Sequence, residues 1–216
     1  MRSYQQYCAL ARSLDVVGDR WTLLIVRELL SLGPSRYSDL LRGLPGIATN
    51  LLADRLRAME EAGLVTRTEL SRPAPAMVIA LTDRGTALSG LIREHLKWGA
   101  GLMSPPTPTE TFQAHWLLLP LRALCRDNQP DQPRQLVRVG TASDGVDVAA
   151  EAGVITVTAA DPEASPDATI TGDPGALVAL FAGQYPINQL RQSLTIDGDP
   201  SAVTRVVGEL AAQALQ

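Results

Sequence analysis

The chain has 216 residues, enough for two ordinary domains, and its 45% hydrophobic and 19% charged residues are typical of a globular protein rather than a disordered one. The formal net charge of −4 by itself argues against nucleic-acid binding, but residues 1 to 104 contain 13 Lys and Arg against 10 Asp and Glu, while residues 105 to 216 contain 6 against 13. The net charge is therefore +3 in the first half and −7 in the second, so a nucleic-acid contact would belong to the first half.

The sequence contains no apolar run of the roughly 18 to 20 residues that a membrane-spanning helix needs. Residues 1 to 6 also lack the apolar segment of a signal peptide, so we expect a cytoplasmic protein without a membrane partner. The two cysteines, Cys8 and Cys125, are too few for a disulfide framework. We expect both to be small buried hydrophobic residues.

Two apolar patterns of helical spacing open the chain. The first predicts a helix from Tyr7 to Val17, which Gly18 ends. The second predicts a helix from Arg20 to Leu32, with Asp19 at its N-cap and Gly33-Pro34 after its end.

A helix, a turn and a second helix follow. The first of these is predicted from Tyr37 to Leu44, because Ser35 or Ser38 can cap its first amides and its leucines recur at helical spacing. Pro45-Gly46 ends it. The second is predicted from about Thr49 to Glu61.

This second helix has two contrasting faces. Its apolar face consists of Leu52, Leu56 and Met59. At about 100° per residue, the opposite face consists of Asn50, Ala53, Asp54 and Arg57. We place this polar face in a DNA major groove.

Beyond Gly63, which tolerates a left-handed backbone at a helix end, the apolar spacing changes from helical to alternating. It predicts two strands, Val65–Leu70 and Met77–Leu81. The turn between them, residues 71 to 75, contains two prolines that keep it out of a sheet. Arg72 lies in this turn. A hairpin with an arginine near its tip, after a recognition helix, is the order of elements in a winged helix-turn-helix.

Thr82 opens a helix that is predicted to run to about Met103. Its apolar stripe faces away from a small domain and needs a cover, for which a second subunit is the most economical choice. The alternative cover is the C-terminal domain of the same chain. Prolines make residues 104 to 109 a stiff linker. We therefore divide the chain into a winged helix-turn-helix domain, residues 1 to 104, and a second domain, residues 109 to 216.

Several short motifs occur in a familiar order: Asp19–Ile25, Arg36–Leu40, Leu44–Ile47, Glu60–Val65, Leu81-Thr82 and Trp98-Gly99. Together they make residues 4 to 103 resemble the HxlR-type transcriptional regulators, which are related to the MarR class. The resemblance implies a homodimeric winged-helix DNA-binding protein whose terminal helices form the dimer. Family members commonly have Ser-Pro where this chain has Ala48-Thr49, and we expect Thr49 to take the capping role one residue later.

For a regulator of this kind, which binds double-stranded DNA, we expect particular residues of this region to contact particular parts of the duplex. The residues expected at base edges are Asn50, Ala53 and Arg57. Those expected at phosphates are Arg36, Ser38 and Thr49, and Arg72 on the wing would reach the minor groove. Asp54 would be repelled by phosphates but could accept from a cytosine amino group or pair with Arg57 or Arg55, which makes it a candidate for specificity. A two-fold dimer would need an inverted-repeat operator.

Some HxlR-type regulators sense oxidants or electrophiles through a cysteine near the position of Cys8. A sensing thiol needs a lowered pKa, which Arg12, one turn further along the helix, could help to provide. Redox sensing by Cys8 is thus the alternative to its being a buried hydrophobic residue.

The second domain begins with a helix predicted from Thr109 or Thr111 to Cys125, kinked at Pro120. Segments rich in Val, Ile and Thr then predict strands at Gln135–Val139, Gly145–Ala150, Gly153–Thr158 and Ala168–Thr171. Residues 170 to 177 and 196 to 203 repeat one order: strand end, glycine turn, aspartate cap, proline and helix. Because an aspartate occupies each cap, we expect structural capping there rather than phosphate binding.

This order of strands and helices makes residues 112 to 214 resemble the sterol carrier protein type-two fold, so the predicted fold class of the chain is α+β. The resemblance implies an apolar tunnel for a lipid or another hydrophobic small molecule. Its expected lining consists of Trp116, Phe181, Tyr185, Ile187 and Leu190. The alternative, which is the commoner one for large aromatic residues, is ordinary core packing.

No catalytic, cofactor or metal site is predicted. His95 and His115 lie in different domains, and the sequence has neither His or Cys at zinc-ligand spacing nor a phosphate-loop, dinucleotide or nucleophile-elbow motif. The sequence therefore predicts a dimeric DNA-binding regulator, and not an enzyme, whose C-terminal domain either responds to a hydrophobic small molecule or helps assembly. The alternative is a lipid-binding or adaptor protein whose winged helix mediates protein contacts.

Overall fold

The computed structural model describes residues 3–70, 76–103, 107, 109–182 and 193–207. Internal contacts divide the chain into two compact units, Met1–Glu94 and His95–Gln216. This division falls within a helix, whereas the predicted linker, residues 104 to 109, lies mostly outside the described ranges. The predicted boundary inside that linker therefore stays a prediction.

The N-terminal unit is a winged helix-turn-helix, as the sequence predicts. Its elements are α1 (Ala9–Val17), α2 (Thr22–Leu32), α3 (Tyr37–Gly43), α4 (Thr49–Glu61), β1 (Val65–Leu70), β2 (Ala76–Leu81), α5 (Asp83–Thr86) and α6 (Ser89–Ala100). The strands β1 and β2 are antiparallel. Ser35, between α2 and α3, exchanges N–H···O bonds of 2.9 and 2.8 Å with Ile79. These bonds join the helices to the hairpin.

A buried core orients α4. The predicted apolar face, Leu52, Leu56 and Met59, is at most 2% exposed, while Ile25 of α2 and Leu40 of α3 are completely buried. In this core α4 contacts β1, and α2 contacts both α3 and β2. Burying one such side chain is worth about 1.5 to 3 kcal/mol, so this seam determines which side of α4 faces outward.

The single helix predicted from Thr82 to Met103 is wrong, because the chain forms two helices, α5 and α6. The first of them is held against the end of α4. The Thr82 hydroxyl accepts from the Gly85 N–H at 3.1 Å and donates to the Gly63 carbonyl at 2.6 Å. A Cβ on Gly85 would lie 2.1 Å from the Leu64 carbonyl oxygen. This contact joins segments that are distant in sequence, which apolar spacing alone cannot predict.

The C-terminal unit packs helices on a mixed sheet. Its elements are a 3₁₀ turn (Ala114–Leu117), α7 (Leu118–Leu124), β3 (Gln135–Gly140), β4 (Gly145–Glu151), β5 (Val154–Ala159), β6 (Ala168–Gly172), α8 (Pro174–Ala182), β7 (Leu194–Gly198) and α9 (Pro200–Val207). The described strands are ordered β5-β4-β3-β6-β7, and β3 and β6 are parallel while the other neighbours are antiparallel. In the core, Val137 and Val148 of the sheet pack with Leu121 of α7 and Leu177 of α8. The predicted strands are confirmed, with their ends shifted by at most one residue.

The helix predicted from Thr109 or Thr111 to Cys125, with a kink at Pro120, is wrong. The chain instead forms a 3₁₀ turn and then α7, and Pro120 lies in the first turn of α7. A proline is tolerated there because the first amides of a helix have no carbonyl partner. Pro120 therefore belongs to a helix start and not to a kink.

Both aspartate caps are confirmed. Asp173 accepts from the Ala176 N–H at 2.9 Å at the start of α8, and Asp199 accepts from the Ser201 N–H at 2.8 Å at the start of α9. In each case the first amides of the helix are satisfied by a carboxylate of the chain itself.

A buried ion pair fixes α9 in the C-terminal unit. Arg205 and Asp127 have completely buried side chains and are joined by two hydrogen bonds of 2.8 and 3.0 Å. The other guanidinium hydrogens go to the carbonyls of Pro133 and Gln132 and the side chain of Gln135. Hydrogen bonding to Arg205 holds the pKa of Asp127 well below its usual range. Because every donor is satisfied, the pair avoids the cost of an uncompensated buried charge.

Candidate nucleic-acid interface

The helix α4, predicted to be the recognition helix, has the predicted bounds, but its first residue does not have the predicted role. Thr49 is the first helical residue, and the N-cap is Ala48, whose methyl group cannot accept a hydrogen bond. The capping role expected of Thr49 is therefore wrong. A contact from α3 supports this end instead, since the Tyr37 hydroxyl donates to the Thr49 carbonyl at 2.5 Å.

The other end of α4 is closed as predicted. Gly63 has a φ of +69°, in the left-handed region that favours glycine. Its N–H donates to the Glu60 carbonyl at 3.0 Å, and the Leu64 N–H donates to the Met59 carbonyl at 2.9 Å. These two bonds form a Schellman motif, which satisfies the last carbonyls and leads the chain directly into β1.

The start of α3 is capped by a carboxylate and not by a serine. Asp39 accepts from the Arg36 N–H at 3.2 Å and also pairs with Arg42. Ser35 is buried and donates to a backbone carbonyl, while Ser38 is exposed. The expected serine cap is wrong because Arg36 occupies the N-cap and the Ser35 hydroxyl donates to the Gly33 carbonyl, while the Asp39 carboxylate reaches back to the N-cap amide.

The side of α4 opposite the buried seam is open to solvent. Asn50, Asp54 and Arg57 are exposed and Ala53 is half-buried, and we name these four residues the recognition face. Asp54 and Arg57 form an ion pair of 3.1 Å, with side chains 56% and 66% exposed. Asp54 was expected to pair with Arg57 or Arg55, and it pairs with Arg57. The recognition face offers guanidinium donors next to a carboxylate acceptor.

The residues expected at phosphates lie at the starts of the same two helices. Arg36 is the N-cap of α3, Ser38 lies in its first turn and Thr49 begins α4, and all three are exposed. Arg72 lies outside the described residues. The structure therefore brings the first three to the helix-turn-helix, and their contacts with DNA stay a prediction.

Two further arginines near the recognition face form ion pairs that the sequence analysis did not predict. Arg55 of α4 lies 3.0 Å from Asp19, in the connection before α2, and Arg67 of β1 lies 3.2 Å from Glu60 near the end of α4. The tight turn at Gly63 could have indicated the second pair, because it folds β1 back beside the helix end. Asp19 is distant from Arg55 in sequence, and only the tertiary fold brings them together.

The two cysteines have opposite environments. Cys125 is buried, as expected, and burial raises its pKa to about 12. Cys8 is exposed at the N-cap of α1, so its predicted burial is wrong. Hydrogen bonding to the backbone of Ala11, and then of Leu10, lowers the pKa of Cys8. Arg12, which was expected to do this, lies 3.9 Å from Asp15.

The expected ligand pocket is only partly described. Trp116 is half-buried and stacks edge-on with His115, their ring centroids 6.0 Å apart. The side chain of Phe181 and the whole of Tyr185, Ile187 and Leu190 lie outside the described residues. A pocket for a hydrophobic molecule therefore stays a prediction.

Large apolar side chains are exposed on two helices and just after the second. On α1, Leu10 is 66% exposed and Leu14 is also exposed. On α6 and in the residues after it, the exposed side chains are Leu91, Trp98, Leu102 and Met103. None of the described helices is long and apolar enough to cross a membrane.

Comparison with known proteins matches the N-terminal half of the chain. Residues 16–106 fit the model of the HxlR-like helix-turn-helix family. The HTH-type transcriptional regulator YvaP of Bacillus subtilis is 32% identical over 94 residues, which are 44% of this chain and 86% of YvaP. The HTH-type transcriptional regulator YodB of the same organism is 30% identical over 93 residues, 43% of this chain and 82% of YodB. A solved structure of reduced YodB covers 47% of this chain with a TM-score of 0.40.

The matched relatives are named as transcriptional regulators, and the matched part of this chain forms the winged helix-turn-helix with its exposed recognition face. An identity of 32% that extends over 86% of YvaP is more than a likeness of fold. The chain belongs to the HxlR-like helix-turn-helix family.

Proposed function

We propose that the protein is a dimeric, sequence-specific DNA-binding transcriptional regulator. One observation carries the proposal: the exposed recognition face lies opposite a completely packed seam on a helix whose two ends are both fixed. A rigid helix that presents polar side chains outward is what base recognition in a major groove requires. The relatives named as HTH-type transcriptional regulators support the same conclusion.

In the proposed complex, Asn50, Ala53 and Arg57 lie at base edges. An arginine can bind guanine with two hydrogen bonds and an asparagine can do the same with adenine, whereas Ala53 offers a methyl contact to thymine. Arg36, Ser38 and Thr49 bind phosphates and set the register of the helix. Arg72, on the wing, enters the neighbouring minor groove.

The dimer is proposed to form through the apolar side chains of α1 and α6. Leu10, Leu14 and Leu91 are exposed on these helices, where a second copy would cover them. The alternative cover is the C-terminal domain of the same chain. Two recognition helices related by a two-fold axis read an inverted repeat, with half-sites about 34 to 36 Å apart or a multiple of that spacing.

The C-terminal unit is proposed to be a sterol-carrier-like domain that binds a hydrophobic small molecule. Its helices pack on one mixed sheet, and Trp116 is half-buried in it. Phe181, Tyr185, Ile187 and Leu190 are the further proposed lining. Such an effector can change transcription only if it binds one spacing of the two recognition helices more tightly than another. Cys8, an exposed thiol with a lowered pKa, is a second proposed sensor.

The test is a nuclease footprint of the full-length protein on the DNA upstream of its own gene. The expected result is protection of two half-sites on one face of the duplex, weakened steeply as the salt concentration rises. A lipid-binding or adaptor protein would give no protection beyond weak non-specific attraction, and that result would refute the regulator. Repeating the footprint after extraction of co-purified lipid tests the effector separately, since a change in half-site protection is expected.

A further inference from the structure

The region that carries the recognition face is electrically balanced. Residues 36 to 70, which span α3, α4 and β1, contain five Arg, no Lys and five Asp or Glu. A surface that attracts DNA through its phosphates has an excess of positive charge. The net charge of +3 on residues 1 to 104 therefore lies outside the segment that would enter the major groove.

This balance is also local. Four of the five arginines make an ion pair within the described part of the chain: Arg42 with Asp39, Arg55 with Asp19, Arg57 with Asp54 and Arg67 with Glu60. An arginine beside a carboxylate presents no net charge to a phosphate, so it displaces little of the counterion atmosphere of DNA. Much of the usual source of sequence-independent affinity is thus cancelled before DNA arrives.

One of these pairs lies on the recognition face itself. A single hydrogen bond joins Arg57 Nη1 to Asp54 Oδ1 at 3.1 Å. Exposed pairs of this kind add little to the stability of a protein, so stability does not explain why a carboxylate is there. The bond uses one guanidinium nitrogen and one carboxylate oxygen. Within the described residues, Nε and Nη2 of Arg57 and Oδ2 of Asp54 have no other bond, and both side chains are more than half exposed.

We propose that Asp54 is a specificity residue that acts through Arg57. It cancels the charge that would hold α4 to any phosphate backbone, and it leaves a set of donors and an acceptor that matching base edges satisfy. In the major groove guanine offers two acceptors and cytosine offers an amino donor, so a G·C pair can satisfy both side chains while their ion pair stays intact. This inference rests on the proposed DNA-binding function and adds that non-specific DNA is bound weakly.

The experiment measures binding of the full-length protein to a labelled duplex of random sequence by fluorescence anisotropy, between about 0.05 and 0.2 M salt. Asp54→Asn keeps the shape of the side chain but frees Arg57 to neutralise one phosphate. One such contact steepens the slope of log K against log salt by about 0.9, and raises the affinity roughly eightfold at about 0.1 M salt. In footprints, this variant is expected to protect the operator with a smaller preference over the surrounding DNA than the wild-type protein does.

Two further variants separate the ion pair from simple charge removal. Glu61→Gln removes the same charge from the same exposed helix, at a residue for which the described ranges contain no ion pair, so a smaller gain in affinity is expected. In an Arg57→Ala background, Asp54→Asn is expected to lose most of its effect, because there is no arginine to free.

The outcomes are distinct. If Asp54→Asn and Glu61→Gln change the affinity for random DNA equally, or if the effect survives without Arg57, the proposed role of Asp54 is wrong. If the wild-type protein protects its upstream DNA but Asp54→Asn gains no affinity for random DNA, that role is again wrong while the regulator proposal stands. If the wild-type protein shows no salt-dependent binding to its upstream DNA or to random DNA, the regulator proposal itself is overturned.

Discussion

Replacing Gly85 by alanine tests whether α5 is docked on the end of the recognition helix. An added Cβ would lie 2.1 Å from the Leu64 carbonyl oxygen, whereas ordinary contacts begin at 3.4 Å, so one of the two segments must move by about 1.3 Å. Overpacking of this kind costs about 1 to 3 kcal/mol. Alanine in a helix offsets about 0.5 to 1 kcal/mol of that cost relative to glycine.

Gly90→Ala is the matched control, because a Cβ at Gly90 in α6 would have no described atom within 4 Å apart from its chain neighbours and the backbone of its own helix. It retains the gain in helix propensity without the clash, so the difference between the two variants isolates the overpacking. Amide hydrogen exchange of α4 and β1 measures the stability of the N-terminal unit alone. Exchange is expected to be faster in Gly85→Ala than in Gly90→Ala by a factor of about 5 to 150, since the overpacking costs about 1 to 3 kcal/mol and 1.4 kcal/mol corresponds to tenfold. Equal exchange in the two variants would refute the docking of α5.

Three other predictions concern recognition, thiol chemistry and acid stability. Arg57→Ala is expected to reduce discrimination between operator and mismatched DNA by about 1 to 3 kcal/mol, as the loss of a good bidentate base contact would, in competition binding assays. Iodoacetamide is expected to alkylate Cys8 in the native protein and to spare Cys125, as peptide mass spectrometry can determine. Hydrogen bonding to Arg205 holds the pKa of Asp127 below its value of about 3.9 in the unfolded chain. The ionised Asp127 therefore stabilises the fold above about pH 3.9, and this stabilisation is lost as the pH falls further. Asp127→Asn should thus flatten the decline of the unfolding free energy in acid.

Each of these predictions has a control. Arg84→Ala removes an exposed arginine of α5 that is not part of the recognition face, and it should leave sequence discrimination unchanged. For thiol alkylation, the control is the denatured chain, in which both cysteines should be alkylated. For redox sensing, an oxidant that acts through Cys8 should alter the DNA affinity of the wild type but not that of Cys8→Ser. Asp131→Asn removes an exposed carboxylate near Asp127 and should keep the acid-dependent decline, so equal behaviour of the two Asp variants would contradict the role of the buried pair.

How well the sequence predicts each helix of this fold depends on whether neighbouring residues in the chain or tertiary contacts determine it. The bounds of α4 follow from local signals, namely a strong apolar period and Gly63 at its end, and both hold in the structure. After Thr82 the apolar spacing predicts one helix where the chain forms α5 and α6, and the close approach of Gly85 to Leu64 is a tertiary contact that this spacing does not contain. The exposure of Cys8 was missed for a related reason, since a helical period shows which side of a helix is apolar but not whether another element covers it.

The candidate site divides in the same way. The recognition face follows from the helical period, because a face opposite a buried seam must be exposed. The ion pair of Arg57 with Asp54 is local, three residues apart on one helix, and could be predicted. The pair of Arg55 with Asp19 could not, because its two members meet only when the connection before α2 packs beside α4.

Charge balance on the recognition face would make DNA binding by the proposed regulator depend on its dimer. A subunit whose arginines are mostly paired gains little affinity from phosphates, so one recognition helix alone would hold DNA weakly. Joining two subunits makes the second binding event intramolecular, which raises the affinity for a paired site by a large factor without any new contact. That gain exists only where both half-sites match. The exposed apolar side chains of α1, such as Leu10 and Leu14, belong to the proposed dimer surface. In the proposed regulator, weak attraction to DNA in each subunit and a strong requirement for the dimer would together restrict the protein to its inverted repeat.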